Sequence, residues 1–346
     1  MKYYKRIKVP LILFLIVLVF YGCQSKEKEE LKNYTQSDIA MGTIVTANIY
    51  TTGEDMASEI FDLLRQIEIS YISWREEGSE IARLNESAGN GKGVEVTGKL
   101  EEMLKSTLDI SQKSNGALDP TIGKISRLWD IDGENPRVPA QEEIDALLQP
   151  QGYKNVICNE QNVILQENTS IDLGAVGKGV GCDEVKDFLL TQKEIQGAVI
   201  SVGGSILTYG TKENGAPWAV AITDPKAGGE NYMGVLSLEG ENYISTSGDY
   251  EKYFEQDGIR YHHILDPKTG SPSRSGLLSV TVAASNGLLS DGLSTACFVL
   301  GLEDGMKLAE QYDAEAVFID ENRKVYITDG LKEKFQLIAE DTYQLQ

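Results

Sequence analysis

Asp291 and Thr295 stand four residues apart in a largely apolar segment. If Ser290 to Leu300 is helical, that spacing puts a carboxylate and a hydroxyl on one face near the helix N-terminus. Two oxygen donors of this kind suit a hard cation. Magnesium in particular needs few protein ligands, because water and substrate phosphate complete its octahedron. The competing reading is local: Asp291 caps the helix and Thr295 bonds a backbone carbonyl. Spacing alone leaves both open. The chain holds only two histidines, adjacent at His262 and His263 in a segment expected to be a strand. Successive strand residues face opposite sides, so at most one enters a given site, as a base toward a hydroxyl or a contact to a ligand ring. Bonding to a loop is the plainer alternative. Asp119, Asp172 and Trp74 are two-sided in the same way: a carboxylate before a proline, another at a strand end, and a ring that either stacks on an aromatic ligand or fills core.

These groups need elements to hold them, and the stretch from Ile171 to Val185 is the centre of that arrangement. Its glycines at 174, 177, 179 and 181 remove side chains where a short apolar strand is expected to turn into a helix, letting backbone amides approach a bound group. The spacing fits neither a Walker loop nor a dinucleotide fingerprint, so a phosphate cradle and a plain tight turn both stand. Before it, Ile44 to Tyr50 alternates as a strand, Ala57 to Ile72 has helical apolar spacing, Ser79 to Asn85 is a short helix, and Thr97 caps a helix reaching Ser114. Gly116 to Thr121 is a turn feeding a helix through Trp129, and Pro139 to Leu148 is another short helix. From Val156 strands dominate: Ala198 to Val202, Trp218 to Ile222, Gly234 to Leu238, Tyr243 to Thr246 and Leu277 to Ala283. Ala316 to Ile319 and Lys324 to Ile327 form a closing hairpin. Without a regular βαβ alternation, the fold class is α+β or mixed α/β, with a mixed sheet.

The 346 residues carry a formal net charge of -21 and 41% hydrophobic residues. That is enough apolar content for a real core, and a charge that argues against a nucleic-acid surface. An anionic ligand would then need local neutralisation by a metal ion, helix N-termini or placed lysines. Lys2, Lys5, Arg6 and Lys8 precede an apolar run from Val9 to Phe20 that is short for a membrane span, which is the form of an export signal. The run ends in Tyr21-Gly22-Cys23, similar to a bacterial lipobox. The expected organisation is a signal peptide over 1–22, a tether over 23–37 rich in Lys and Glu, and one domain over 38–346, placed outside the cytoplasm and held to a membrane through lipid on Cys23. Cys158, Cys182 and Cys297 lack metal-ligand spacing and are expected as buried free thiols.

Taken in order, the motifs Met41-Gly42-Thr43, Ser79 to Asn85, Gly116 to Trp129, Ile171 to Asp183, Val202-Gly203-Gly204, Thr246 to Tyr250, His263 to Gly270 with Pro272, and Asp291 to Gly301 resemble the FAD:protein FMN transferases, the ApbE-type flavin transferase lipoproteins. The resemblance spans Ile39 to Gly330. It implies an α+β fold with helices packed around a strand-rich core, FAD as flavin donor, and a divalent cation, usually Mg2+. It further implies transfer of FMN to a Thr or Ser hydroxyl of an acceptor protein, typically a subunit of a membrane redox complex, with release of AMP. By position, Met41, Trp74, Ala117, Leu118, Asp119, Asp172, Lys178 and Ile264 would contact FAD, with Trp74 stacking on the flavin. The Ala175 carbonyl, Asp291 and Thr295 would hold the metal, and His263 would be the base, with Asp291 sharing that role. Ser205 and Val180 depart from the family's usual residues at their positions. A metal-dependent FAD pyrophosphatase, in which water replaces the acceptor hydroxyl, would use the same residues; a flavin-binding lipoprotein without chemistry is a third reading, against which the retained Asp291, Thr295 and His263 segment speaks.

Overall fold

The computed structural model describes residues 30–148, 152–227 and 231–346. Nine strands form its main sheet: β1 (Lys32–Ala40), β2 (Thr43–Thr51), β3 (Ile195–Val202), β4 (Ser205–Gly210), β5 (Asn242–Gly248), β6 (Leu277–Ala284), β7 (Glu315–Asp320), β8 (Lys324–Ile327) and β9 (Gln344–Leu345). They lie side by side in chain order, antiparallel throughout except for the parallel pair β8 and β9. The sheet is therefore mixed, as expected, and the closing hairpin gains one more neighbour.

Helices enter as insertions between sheet neighbours. Between β2 and β3 come α1 (Ala57–Ile67), α2 (Glu80–Glu86), α3 (Gly98–Lys113), α4 (Gly123–Trp129), α5 (Gln141–Leu147) and α6 (Gly177–Thr191). Between β6 and β7 come α7 (Gly287–Leu300) and α8 (Leu302–Gln311). Alternation along β7 shows how the sheet is covered. Ala316 and Phe318 join the core beneath the helices, while Val317 and Ile319 join a second core under a small three-stranded sheet built from 218–223, 232–238 and 335–337. A strand buried on both faces reads as a continuous apolar run, which Ala316 to Ile319 is. A third cluster packs Val45, Ala47 and Ile49 of β2 against Ile60 and Leu64 of α1 and Val185 of α6.

Several elements differ from expectation. Strand β1 reaches back to Lys32, paired residue by residue from Lys32–Thr51 to Ala40–Thr43, so 32–37 belong to the sheet rather than to a tether. As an edge strand with most side chains exposed, β1 needs little apolar content, and its composition resembles a linker. The signal segment and Cys23 lie outside the described residues. The helix from Ala57 is α-helical to Ile67 and ends in a π-helical turn, Glu68–Ile72. Ile171–Leu173 is no strand; only Ser170 bridges Ile122, and the chain turns directly into α6. Cys182 and Cys297 are buried free thiols, but Cys158 is only partly buried.

Candidate functional site

Helix α7 begins at Gly287, one turn earlier than expected, and Asn286 rather than Asp291 is its cap, accepting from the Leu289 amide at 2.8 Å. This frees Asp291 for other partners. Its buried Oδ2 accepts from the Gly179 amide in the first turn of α6 at 3.0 Å, and its Oδ1 lies 3.4 Å from Lys178 Nζ. The reverse contact also exists: Asp183 of α6 accepts from the first amides of α7, Gly287 at 2.6 Å and Leu288 at 2.9 Å. Each helix supplies the carboxylate that satisfies unpaired amides at the other's start. The approach requires glycine, since a Cβ at Gly179 would lie 2.0 Å from the Gly287 carbonyl oxygen. Gly179 and Gly181 are thus packing residues inside a helix, and the phosphate-cradle reading does not hold for them.

The start of α6 and the turn before it form one wall of a cavity of about 300 Å3. Met41, Trp74, Ala117, Leu118, Asp119, Asp172, Ala175, Lys178, His263, Ile264 and Thr295 all line it, so residues scattered over most of the chain converge. Asp291 stands behind this wall, reaching the cavity through Lys178. Burial alone would lower the Lys178 pKa, but the neighbouring Asp291 and Glu251 carboxylates outweigh it and raise it, so the ammonium stays charged.

Met41 sits with Gly42 in the two-residue turn joining β1 and β2, both at positive φ, 54° and 64°. This is the turn whose twist matches a hairpin, and it places a non-glycine residue in the left-handed region at the cavity wall. The Met41 amide donates to Glu68 Oε2 at 2.7 Å. Trp129, which also lines the cavity, donates through Nε1 to the Gly270 carbonyl at 2.8 Å, tying α4 to the segment that carries the histidines.

Only one histidine enters, but not by strand alternation, since the strand stops at His262 rather than running through both. His262 ends its strand, is buried edge-on against Phe298 and meets the Ser273 carbonyl at 2.9 Å. His263 lies just beyond the strand and lines the cavity, with Nδ1 3.2 Å from the Lys252 carbonyl. A carbonyl only accepts, so Nδ1 carries the proton and Nε2 is left as a free acceptor. Burial, with Lys178 and Lys252 adding, pushes the His263 pKa down to about 3, so the ring is neutral across the physiological range.

Two expected ligand contacts already have protein partners. Arg75 and Arg127 guanidinium carbons lie 4.1 and 4.6 Å from the Trp74 ring centre, so a stacked flavin must displace or share that cover. Asp119 accepts from the Thr121 amide and hydroxyl at 2.8 and 2.6 Å and from the Tyr153 amide at 2.8 Å. Burial nevertheless raises its pKa.

Glu251 was not legible as a site residue. It follows Tyr250 in a polar turn and looks like surface, yet it lines the cavity near Lys178. Its side chain is exposed to solvent, and the cavity walls surround its carboxyl. That enclosure, opposed by Lys178, reinforced by Asp291 and opposed again by Lys252, pushes its carboxyl up to about 7. No local sequence signal marks it; only the fold shows that Gly204 leaves it room, since a Cβ there would lie 2.9 Å from Glu251 Oε1.

The oxygen-only donor set of Asp291, Thr295 and the Ala175 carbonyl fits a hard cation. Among the described residues no group of three or more His, Cys, Asp or Glu gathers as a metal cage.

A model of the ApbE family matches residues 41–318. The FAD:protein FMN transferase of Klebsiella pneumoniae (strain 342) is 33% identical over 306 residues, 87% of this chain and 94% of that one. That of Treponema pallidum (strain Nichols) is 31% identical over 333 residues, covering 90% and 91%. Among solved structures, the ApbE protein of Thermotoga maritima superposes with a TM-score of 0.79 at 31% identity over 88% of this chain and 99% of its own. The flavin transferase ApbE of Vibrio cholerae gives 0.77 at 28% over 88% and 100%. The expected fold class is the observed one.

Proposed function

The chain belongs to the ApbE family of FAD:protein FMN transferases, and on that premise we propose that it moves FMN from FAD onto a Thr or Ser hydroxyl of an acceptor protein with release of AMP. The observation that carries this reading is the convergence of Lys178, with its partner Asp291, and of Thr295 and His263 on one cavity. A doubly charged pyrophosphate entering an acidic protein needs positive charge at the reacting phosphorus, and Lys178 offers it a fixed ammonium. Asp291, Thr295 and the Ala175 carbonyl would hold a magnesium ion. Such an ion, when bound, supplies charge stabilisation to the phosphoanhydride oxygens. His263 Nε2 takes the acceptor hydroxyl's proton while Nδ1, donating to the Lys252 carbonyl, keeps the ring oriented. Trp74 and its guanidinium neighbours form the rim against which the flavin packs. The acceptor belongs to a membrane redox complex, and lipid on Cys23 holds the enzyme outside the cytoplasm near it.

The test is to incubate the purified protein with FAD, magnesium and the soluble flavin-bearing domain of a membrane redox-complex subunit. In-gel fluorescence then follows protein-bound flavin, and chromatography follows AMP. Equal amounts of both are expected, with neither from Asp291→Ala. AMP without bound flavin makes the enzyme an FAD pyrophosphatase, and neither product from the wild type leaves a binding protein.

A further inference from the structure

Around Thr295 the hydroxyls form a chain whose proton directions are fixed by what each group can accept. Ser294 Oγ lies 2.8 Å from the Asp291 backbone carbonyl, which only accepts, so the single Ser294 hydroxyl hydrogen is committed there. Ser247 Oγ lies 2.8 Å from Ser294 Oγ, and with the Ser294 hydrogen already used, Ser247 must be the donor. The same Ser247 oxygen is 3.2 Å from Thr295 Oγ1; its own hydrogen is spent, so here it accepts and Thr295 donates. The Thr295 hydrogen therefore points toward β5. Its oxygen lone pairs are left for the cavity, which Thr295 lines. That polarity matters because a cation binds a hydroxyl through the oxygen, and a hydrogen facing the cation would oppose it.

We propose that Ser247 is a positioning residue that turns the Thr295 hydroxyl so that its oxygen, not its hydrogen, faces the cation site. This rests on the metal assignment proposed above. Ser294 sets the direction of the relay from its far end. A neighbouring contact supplies an internal control: Ser245 and Ser290, one turn earlier on α7, are 2.8 Å apart, and Ser290 runs on to the Gly287 carbonyl instead. Ser290 and Ser247 are both buried, at 1% and 6% exposure, so losing either hydroxyl disturbs packing to a similar degree.

The test titrates Mn2+ into the FAD-loaded protein and follows the free ion by electron paramagnetic resonance, without acceptor. Loss of a group that orients a metal ligand weakens affinity roughly 10- to 100-fold, so Ser247→Ala is expected to weaken Mn2+ binding by at least about tenfold. Ser247→Thr, which keeps the hydroxyl, and Ser290→Ala are expected to stay within about threefold of the wild type. Wild-type affinity in Ser247→Ala overturns the proposal, and so does an equal loss in Ser290→Ala, which would make the effect one of packing. Asp291→Asn separates the two levels: if it too binds Mn2+ like the wild type, the metal assignment fails and the relay falls with it.

Discussion

At the scale of single residues, the site's electrostatics turn on a carboxyl the motifs did not mark. Glu251, with its pKa pushed up to about 7, is neutral below that pH and charged above it. Ionisation adds a negative charge to a cavity that must take a doubly anionic pyrophosphate. Two unit charges about 10 Å apart at an effective dielectric near 20 interact by about 1–2 kcal/mol, roughly a tenfold effect on binding, and the solvent exposure of Glu251 screens it further. The Kd for FAD, read from flavin fluorescence, should therefore rise about three- to tenfold between about pH 6 and 8, and Glu251→Gln should flatten the curve. A wild-type Kd that does not change over this range would remove Glu251 from the binding electrostatics. His263 should contribute no limb in the same window, since it stays neutral down to about pH 3.

At the scale of elements, the crossing of α6 and α7 sets the position of every group near Asp291, and it depends on two backbones touching. Gly179→Ala puts a methyl 2.0 Å from the Gly287 carbonyl, where neither partner has a rotamer to change. The helices must part, breaking the Asp291–Gly179 and Asp183–Gly287 bonds together. Overpacking costs roughly 1–3 kcal/mol, and a backbone clash with no room to yield belongs at the upper end, about 3 kcal/mol; urea unfolding should show it along with lost FAD binding. Gly181→Ala should be milder, because its methyl meets the ends of the Leu64 and Met41 side chains at 2.8 Å, which can move. Equal destabilisation by the two variants would contradict this account. The same crossing explains what the sequence could and could not tell. The Asp291–Thr295 pair was legible because helical spacing is a local property. The start of α7 was not, since Asn286 and Gly287 look like loop until one sees that Asn286 caps Leu289. The glycines of α6 advertised a ligand loop, although Gly179 and Gly181 exist to let neighbours approach.

At the scale of the molecule, β2 could be recognised from its own alternation and β7 from its apolar run, but not that β2 pairs with β3 across the insertion that carries α1 to α6. That pairing is a long-range contact with no local signature, and it is what brings Met41 to the cavity that Lys178 also lines. Net charge, by contrast, is fully legible and acts over the whole surface. At -21 the protein repels an approaching dinucleotide before Lys178 can attract it. Screening shortens that repulsion from about 30 Å at 0.01 M salt to about 10 Å at 0.1 M. The association rate constant for FAD, followed by stopped-flow fluorescence, should therefore increase about two- to fivefold between about 20 and 200 mM KCl, with the dissociation rate nearly unchanged. A rate that falls with salt would mean that the cations at the cavity mouth, Arg75 and Lys252 around Asp132, dominate the field an incoming anion meets.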